Sequence, residues 1–204
     1  MKGRTLWVAA MAAAVAAGSV LVLQAKLARS RSQLEDYGAL PEFRLVDARA
    51  RPFTVDSLRS HVTIADFIFT RCTASCPRLT ARMAEIQSDI EKLHSDVRLV
   101  SFSVDPEYDT PVVLSAYAAH AHADPARWSF VTGPVDDVSR TVVLGFKVSA
   151  AKVARKAGDY DVTHGNWLVL VDRECHVRGY YSAEPSDSAR LVVDDAVRLE
   201  RQVR

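Results

Sequence analysis

Apolar and polar residues change period several times along this chain, and each change marks a predicted element. Residues 61–70, HVTIADFIFT, are rich in β-branched and aromatic side chains and read as a buried strand. After Pro77 the spacing lengthens. Leu79, Met83, Ile86, Ile90 and Leu93 recur three or four positions apart, the period of an amphipathic helix. VRLVSFSV, at 97–104, is a second buried strand, and TPVVLSAYAAHAH is a helix with Pro111 suited to its first turn. WSFVTG predicts a short strand, VDDVSRTVVLGF a helix, and WLVLVD and VRGYYS two further strands. Residues 188–204 close the chain as an amphipathic helix. Upstream, 41–60 alternates about a turn-like centre, as a short hairpin would. Strands alternating with helices, then a strand pair and a last helix, predict a three-layer α/β sandwich around a mixed sheet. Nothing in the pattern calls for a second domain.

The first 40 residues follow another pattern. Leu6 to Leu23 is an uncharged run of 18 residues, with Lys2 and Arg4 before it and Lys26, Arg29 and Arg31 after. As a helix it is about 27 Å long, close to the roughly 30 Å of a bilayer's hydrocarbon core. Trp7 stands where an interfacial aromatic belongs. A cleaved signal peptide is the alternative, but the run is long for one and no A-x-A site stands out before the charges resume. The expected organisation is therefore a short cytoplasmic start at 1–5, a transmembrane anchor at 6–23, a polar linker at 24–40 and a folded domain at 41–204. That domain is expected on the extracytoplasmic, periplasmic-type side. A net charge of +1 with scattered basic residues gives no reason to expect nucleic acid.

Export sharpens the question posed by the cysteines. The chain has three, and Cys72 and Cys76 lie four positions apart where the first core strand meets the first long helix. Outside the cytoplasm thiols are oxidised unless bound, catalytic or actively reduced, and an odd count leaves one over. A strand-to-helix turn is where open α/β sheets bind ligands, and the helix dipole there favours thiolate. If the helix starts near Cys72, the two cysteines share a face with Cα atoms about 6 Å apart, which suits a disulfide or a shared soft metal ion. A packed pair and a plain structural disulfide are the simpler alternatives. Of six histidines, His61, His94 and His176 fall at charged edges, and His120 and His122 point apart on a helix. His164 sits in a predicted loop, GDYDVTHGN, just before an apolar strand, and is the candidate third ligand. Two thiolates and an imidazole suit Cu(I), which accepts sulfur and low coordination, better than zinc, which wants a fourth ligand. Cys175, in a turn between strands, reads as an incidental thiol.

These residues resemble the Sco/SenC family of thioredoxin-like copper-binding factors linked to cytochrome c oxidase assembly. The likeness spans roughly 41–200 and rests on DFIFTRCTASCP, SFSVDPEYDTP, DYDVTH and LVLVDRECHVRGYY. It implies a thioredoxin-like fold and copper held by Cys72, Cys76 and His164, as Cu(I) or as Cu(II). It also implies a redox disulfide between Cys72 and Cys76 that refuses metal. Asp105, and Asp161 upstream of His164, are possible supporting residues around the ligands. The implied partner is a copper-accepting membrane oxidase subunit or another copper chaperone, with the membrane engaged by the N-terminal helix. The SVDPEYDTP segment is also explained by a turn and an N-cap through Asp109 ahead of Pro111. Two departures stand out: Thr73 where the family often has proline, and Thr163 where it often has aspartate, which affects how His164 is oriented. Non-enzymatic copper delivery is the favoured expectation. A thiol–disulfide oxidoreductase that reduces the acceptor's cysteines, with Cys72 as attacker, and a redox or copper sensor are the alternatives. A peroxidase is disfavoured, because only Arg71 is at hand to activate a thiol.

Overall fold

Thr63–Ile68 forms strand β3, and all six of its residues are buried. A strand wet on neither face needs cover on both, which the rest of the chain supplies. The computed structural model describes residues 34–73, 75–154, 160–164, 166–184 and 187–202, with the backbone alone at 150–154, 160–164 and 188. The proposed anchor at 6–23 lies outside the described residues, among which no helix is long and apolar enough to cross a membrane.

Residues Asp36–Arg204 make one compact unit. Strand β1 (Arg44–Asp47) and strand β2 (Pro52–Thr54) form the predicted hairpin, followed by a 3-10 turn at Val55–Ser57. After β3 comes helix α1 (Cys76–Lys92), then β4 (Arg98–Ser103), α2 (Pro111–His120) and β5 (Trp128–Thr132). Helix α3 (Val135–Ser139) widens into a π-helical turn at Arg140–Gly145, where the sequence predicts one continuous helix. Wider winding lets the chain follow its neighbours, and Gly145 abuts Pro41 so closely that a Cβ would sit 3.1 Å from its Cδ. Strands β6 (Ala150–Ala154) and β7 (Tyr160–His164) pair as a separate hairpin. Strands β8 (Trp167–Val171) and β9 (Val177–Ser182) and helix α4 (Ser188–Gln202) complete the fold.

The main sheet has seven strands in the order β2-β1-β5-β4-β3-β8-β9. Strands β3, β4 and β5 run parallel, joined by α1 and α2 as crossovers, while β1, β8 and β9 run antiparallel to their neighbours. The sheet is mixed, as the sequence predicts. One face carries α1, α2 and α4. Leu79, Met83, Ile86 and Ile90 of α1 are buried on it, at the spacing read from the sequence. The other face holds an aromatic cluster in which Phe102 lies 6.0 Å from Phe67 and 4.9 Å from Phe146, centroid to centroid. The fold also takes in residues the sequence assigns to the linker. Tyr37 and Leu40 donate to the carbonyls of Val177 and Cys175 at 2.9 and 2.8 Å.

The arrangement has one consequence for function. Strand β8 is antiparallel to β3, with Ala65 opposite Val169. The entry to β8 therefore lies at the end of the sheet where β3 and β4 leave it.

Candidate metal centre

The turn after β3 is held from a distance. Asp109, fully buried and 39 residues downstream of Thr70, accepts the Thr70 backbone N–H at 3.1 and 3.3 Å and also its hydroxyl. Its second oxygen accepts the Ser103 hydroxyl at 2.6 Å. Burial pushes the Asp109 carboxyl up, and the donors from Ser103 and Thr70 oppose that shift. The clamp ties the exit of β3 to the exit of β4, so the cysteine turn has little freedom. Asp109 is therefore not the helix cap that the sequence suggests. Thr110 caps α2, its hydroxyl accepting the Val113 N–H at 3.4 Å, with Pro111 following. A carboxylate can serve a cap or a distant turn, and here the unpaired donors on Thr70 and Ser103 decide.

Asp105 is also fully buried, and Arg71, next to Cys72, reaches it at 2.7 Å. The same guanidinium lies over the Tyr108 ring, 4.3 Å from its centroid. Asp105 thus anchors the residue beside the thiol, and its effect on the site runs through Arg71.

Helix α1 begins at Cys76, not at Cys72. The two cysteines do not share a helical face. Cys72 stands in the turn ahead of the helix, half-buried, and Cys76 is the first helical residue, fully buried. The Cys76 N–H points at the Cys72 sulfur, 3.4 Å away, which sets a helix-end partial positive charge against it. The Ser75 hydroxyl is 3.8 Å from the same sulfur. Burial pushes the Cys76 thiol well up, offset in part by a hydrogen bond with the Phe69 backbone. None of the three cysteines is in a disulfide. Cys175 sits in the turn between β8 and β9, at the other end of the sheet, with its thiol 3.5 Å from the Val55 carbonyl.

His164 closes β7, opposite Ala150 of β6. The sequence reading of a loop here is corrected: the segment is a hairpin strand, and its short runs, AAKVA and YDVTH, are a weak signal beside the apolar core strands. The side chains of His164 and Asp161 lie outside the described residues. The backbone of His164 leads within three residues into Trp167, the start of β8, at the sheet end that carries the cysteines. Asn166, in between, faces Ser75 and Arg78 across a cleft of about 300 Å³. Among the described residues, no three His, Cys, Asp or Glu side chains form a cluster able to hold a metal. Two of the other histidines are engaged elsewhere: His61 pairs with Asp96 at 3.0 Å and His176 with Asp36 at 2.9 Å.

One titratable residue has no obvious sequence signal. Asp66, in the middle of β3, is fully buried beneath the α1 face. Its register partner Ser101 donates to it at 2.5 Å and in turn accepts the Trp128 indole N–H at 2.9 Å. The other carboxyl oxygen has no hydrogen-bond partner among the described residues. Burial, against the Ser101 hydrogen bond, pushes this carboxyl from 3.8 to about 7. The folded state therefore keeps a proton that the unfolded chain loses near pH 4. Between about pH 4 and about 7 the folded state binds more protons, so stability falls as pH rises, by up to about 4 kcal/mol in all. Asp66→Asn cannot ionise. Urea denaturation is expected to find it more stable than the parent at pH 8, with the gap closing by pH 4. Equal slopes for the two proteins would refute this assignment.

A mixed sheet with βαβ crossovers, a cysteine pair at the first crossover and a strand pair beyond define a thioredoxin-like thiol domain. The SCO1/SenC family model matches residues 31–198, and the chain belongs to that family. It is 37% identical over 143 residues to the SCO1 protein homolog of Bacillus subtilis, covering 70% of this chain and 72% of that protein. The structure resembles Bradyrhizobium japonicum ScoI with copper bound, with a TM-score of 0.69 at 25% identity over 79% of this chain and 99% of that one. It also resembles BsSco, a member of the Sco family of cytochrome c oxidase assembly proteins for which a disulfide switch is described. That TM-score is 0.71 at 29% identity, over 82% and 97% of the two chains. The predicted thioredoxin-like fold is borne out by these likenesses.

Proposed function

We propose that this chain is a membrane-anchored copper metallochaperone that delivers one copper ion for assembly of a cytochrome c oxidase copper site. The observation that carries the reading is the pairing of a half-buried with a fully buried thiol across the start of α1, at the sheet end to which the His164 backbone leads. Copper here is cargo. Two thiolates and an imidazole are a donor set that suits Cu(I), and a family member holds copper. Cys72, Cys76 and His164 are the proposed ligands, with Asp105 acting through Arg71 and Asp161 beside the histidine. The exposed side of Cys72 makes it the ligand that an incoming thiol displaces first, with Cys76 releasing last. Residues 6–23 would hold the domain at the membrane on the extracytoplasmic side, keeping donor and membrane-bound acceptor in one layer and raising effective concentration. Oxidation of Cys72 and Cys76 to a disulfide removes both sulfur ligands and stops loading.

A second reading, reduction of the acceptor's cysteines, is favoured by one observation: the Cys72 sulfur accepts the Cys76 N–H at a helix start, a setting that suits an attacking thiol. It uses the same residues without His164. Anaerobic Cu(I) titration of the reduced full chain in detergent, against a competing chelator, separates the two. Binding is expected at one ion per chain, and His164→Ala is expected to weaken it by at least about tenfold, or 1.4 kcal/mol. Weak binding, or binding indifferent to His164, would sink the three-ligand site and favour the reductase.

A further inference from the structure

Cys72 opens onto a groove that delivery alone does not require. Helices α1 and α2 enclose about 540 Å³ between them, within the range of small-ligand sites. Thr80 and Tyr117 bridge the helices through their hydroxyls at 2.7 Å. Beside that bridge α1 presents Pro77, Ala81 and Ala84, which are too small to fill the space. Cys72 and Thr70 stand at the end nearest the sheet, and His120 lines the groove from the last turn of α2.

Among the described residues the lining contains no Asp, Glu, Lys or Arg, although a quarter of the chain is charged. The cleft on the other side of the α1 start differs: Arg78, Arg82 and Glu184 line it, and Cys72 does not. The accessible thiol therefore faces a neutral surface. An ionic segment laid there would lose hydration and find no counter-charge, a cost that a neutral segment avoids. The Thr80 and Tyr117 hydroxyls and the His120 ring offer hydrogen bonds to a docked backbone. Cys76 is sealed, so exchange with a partner has to come through Cys72.

We propose that the α1–α2 groove is the docking surface for a neutral, apolar, cysteine-bearing segment of the copper-exchange partner, seated with its thiol against Cys72. The proposal rests on the delivery reading for the partner's role, and its test is independent of copper. Two short blocked peptides each carry one cysteine, flanked by Leu and Val in one and by Glu in the other, and each is converted to its mixed disulfide with thionitrobenzoate. The Cys72 thiolate attacks the peptide sulfur. The peptide–thionitrobenzoate S–S bond breaks, a Cys72–peptide S–S bond forms, and thionitrobenzoate leaves with the electron pair and is read by absorbance. Rates are normalised to the same peptides reacting with glutathione.

The reduced full chain is expected to react at least about tenfold faster with the neutral peptide than with the acidic one, a difference of 1.4 kcal/mol. Ala81→Glu, which adds charge at an exposed rim position, and Ala84→Leu, which fills a half-buried one, are expected to erase that preference. Each variant is also reacted with neutral dithiodipyridine, so that a general loss of Cys72 reactivity is told apart from a lost peptide preference. Equal normalised rates for the two peptides, or a preference that survives both substitutions, overturns the groove. Cu(I) titration of the same proteins keeps the two readings apart. A peptide preference in a chain that binds no Cu(I) upholds the groove and sinks delivery, whereas tight Cu(I) binding without preference sinks the groove alone.

Discussion

Cys76→Ser is expected to lower the Cu(I) affinity of the reduced chain by on the order of a thousandfold, about 4 kcal/mol. The substitution exchanges a soft, polarisable sulfur for a hard oxygen of similar size, so the buried first turn of α1 can stay packed while the metal loses a donor. The melting temperature is expected to change little, which separates a lost ligand from a lost fold. Burial adds a pH signature. The Cys76 thiol is held well above its ordinary range in the folded state, so it carries a proton at neutral pH that Cu(I) must displace. Apparent affinity should therefore fall about tenfold for each unit of pH decrease from this thiol alone. The serine variant should lose that component of the slope. A serine variant within tenfold of the parent, with an unchanged pH slope, would overturn ligation by Cys76.

Asp109→Ala is expected to cost roughly 3–5 kcal/mol of stability, read by urea denaturation at pH 7, because it leaves buried donors on Thr70 and Ser103 without their acceptor. The same change frees the turn that carries Cys72, so Cu(I) affinity should drop about 10- to 100-fold, the range of residues that orient metal ligands. Asp109→Asn keeps the size and one carbonyl acceptor and is expected to recover at least about half of the lost stability. A residue serving only as a turn former or helix cap would give about 1 kcal/mol, leave copper binding unchanged and show no rescue by asparagine.

The elements around the site differ in how far the sequence reveals them. Strands β3 and β4 and helix α1 are legible because their signal is local: continuous β-branched and aromatic runs for strands covered on both faces, and three- and four-residue spacing for a helix with one buried side. The Cys72–Cys76 pair could be placed at a strand-to-helix turn for the same reason. The hairpin of β6 and β7 was not legible, since its strands are short and AAKVA lacks the two-residue alternation of a strand. The exact start of α1 depends on turn geometry that Pro77 permits but does not select.

What the sequence by itself determined is the order of the core strands and long helices, the chemistry available at the first crossover and membership in a family of copper-binding proteins. Tertiary structure alone decided which distant groups meet there. Asp109 could have capped its own helix, and only the approach of Thr70 and Ser103 turns it into a clamp. Asp66 reads as any polar residue in a strand until two layers close over it and withdraw its hydration. The His164 backbone leads toward the cysteine end because β8 pairs antiparallel with β3, a choice of strand neighbour that no local period encodes. Periodicity is a property of one segment, whereas hydrogen-bond partners and burial depend on segments far apart in the chain.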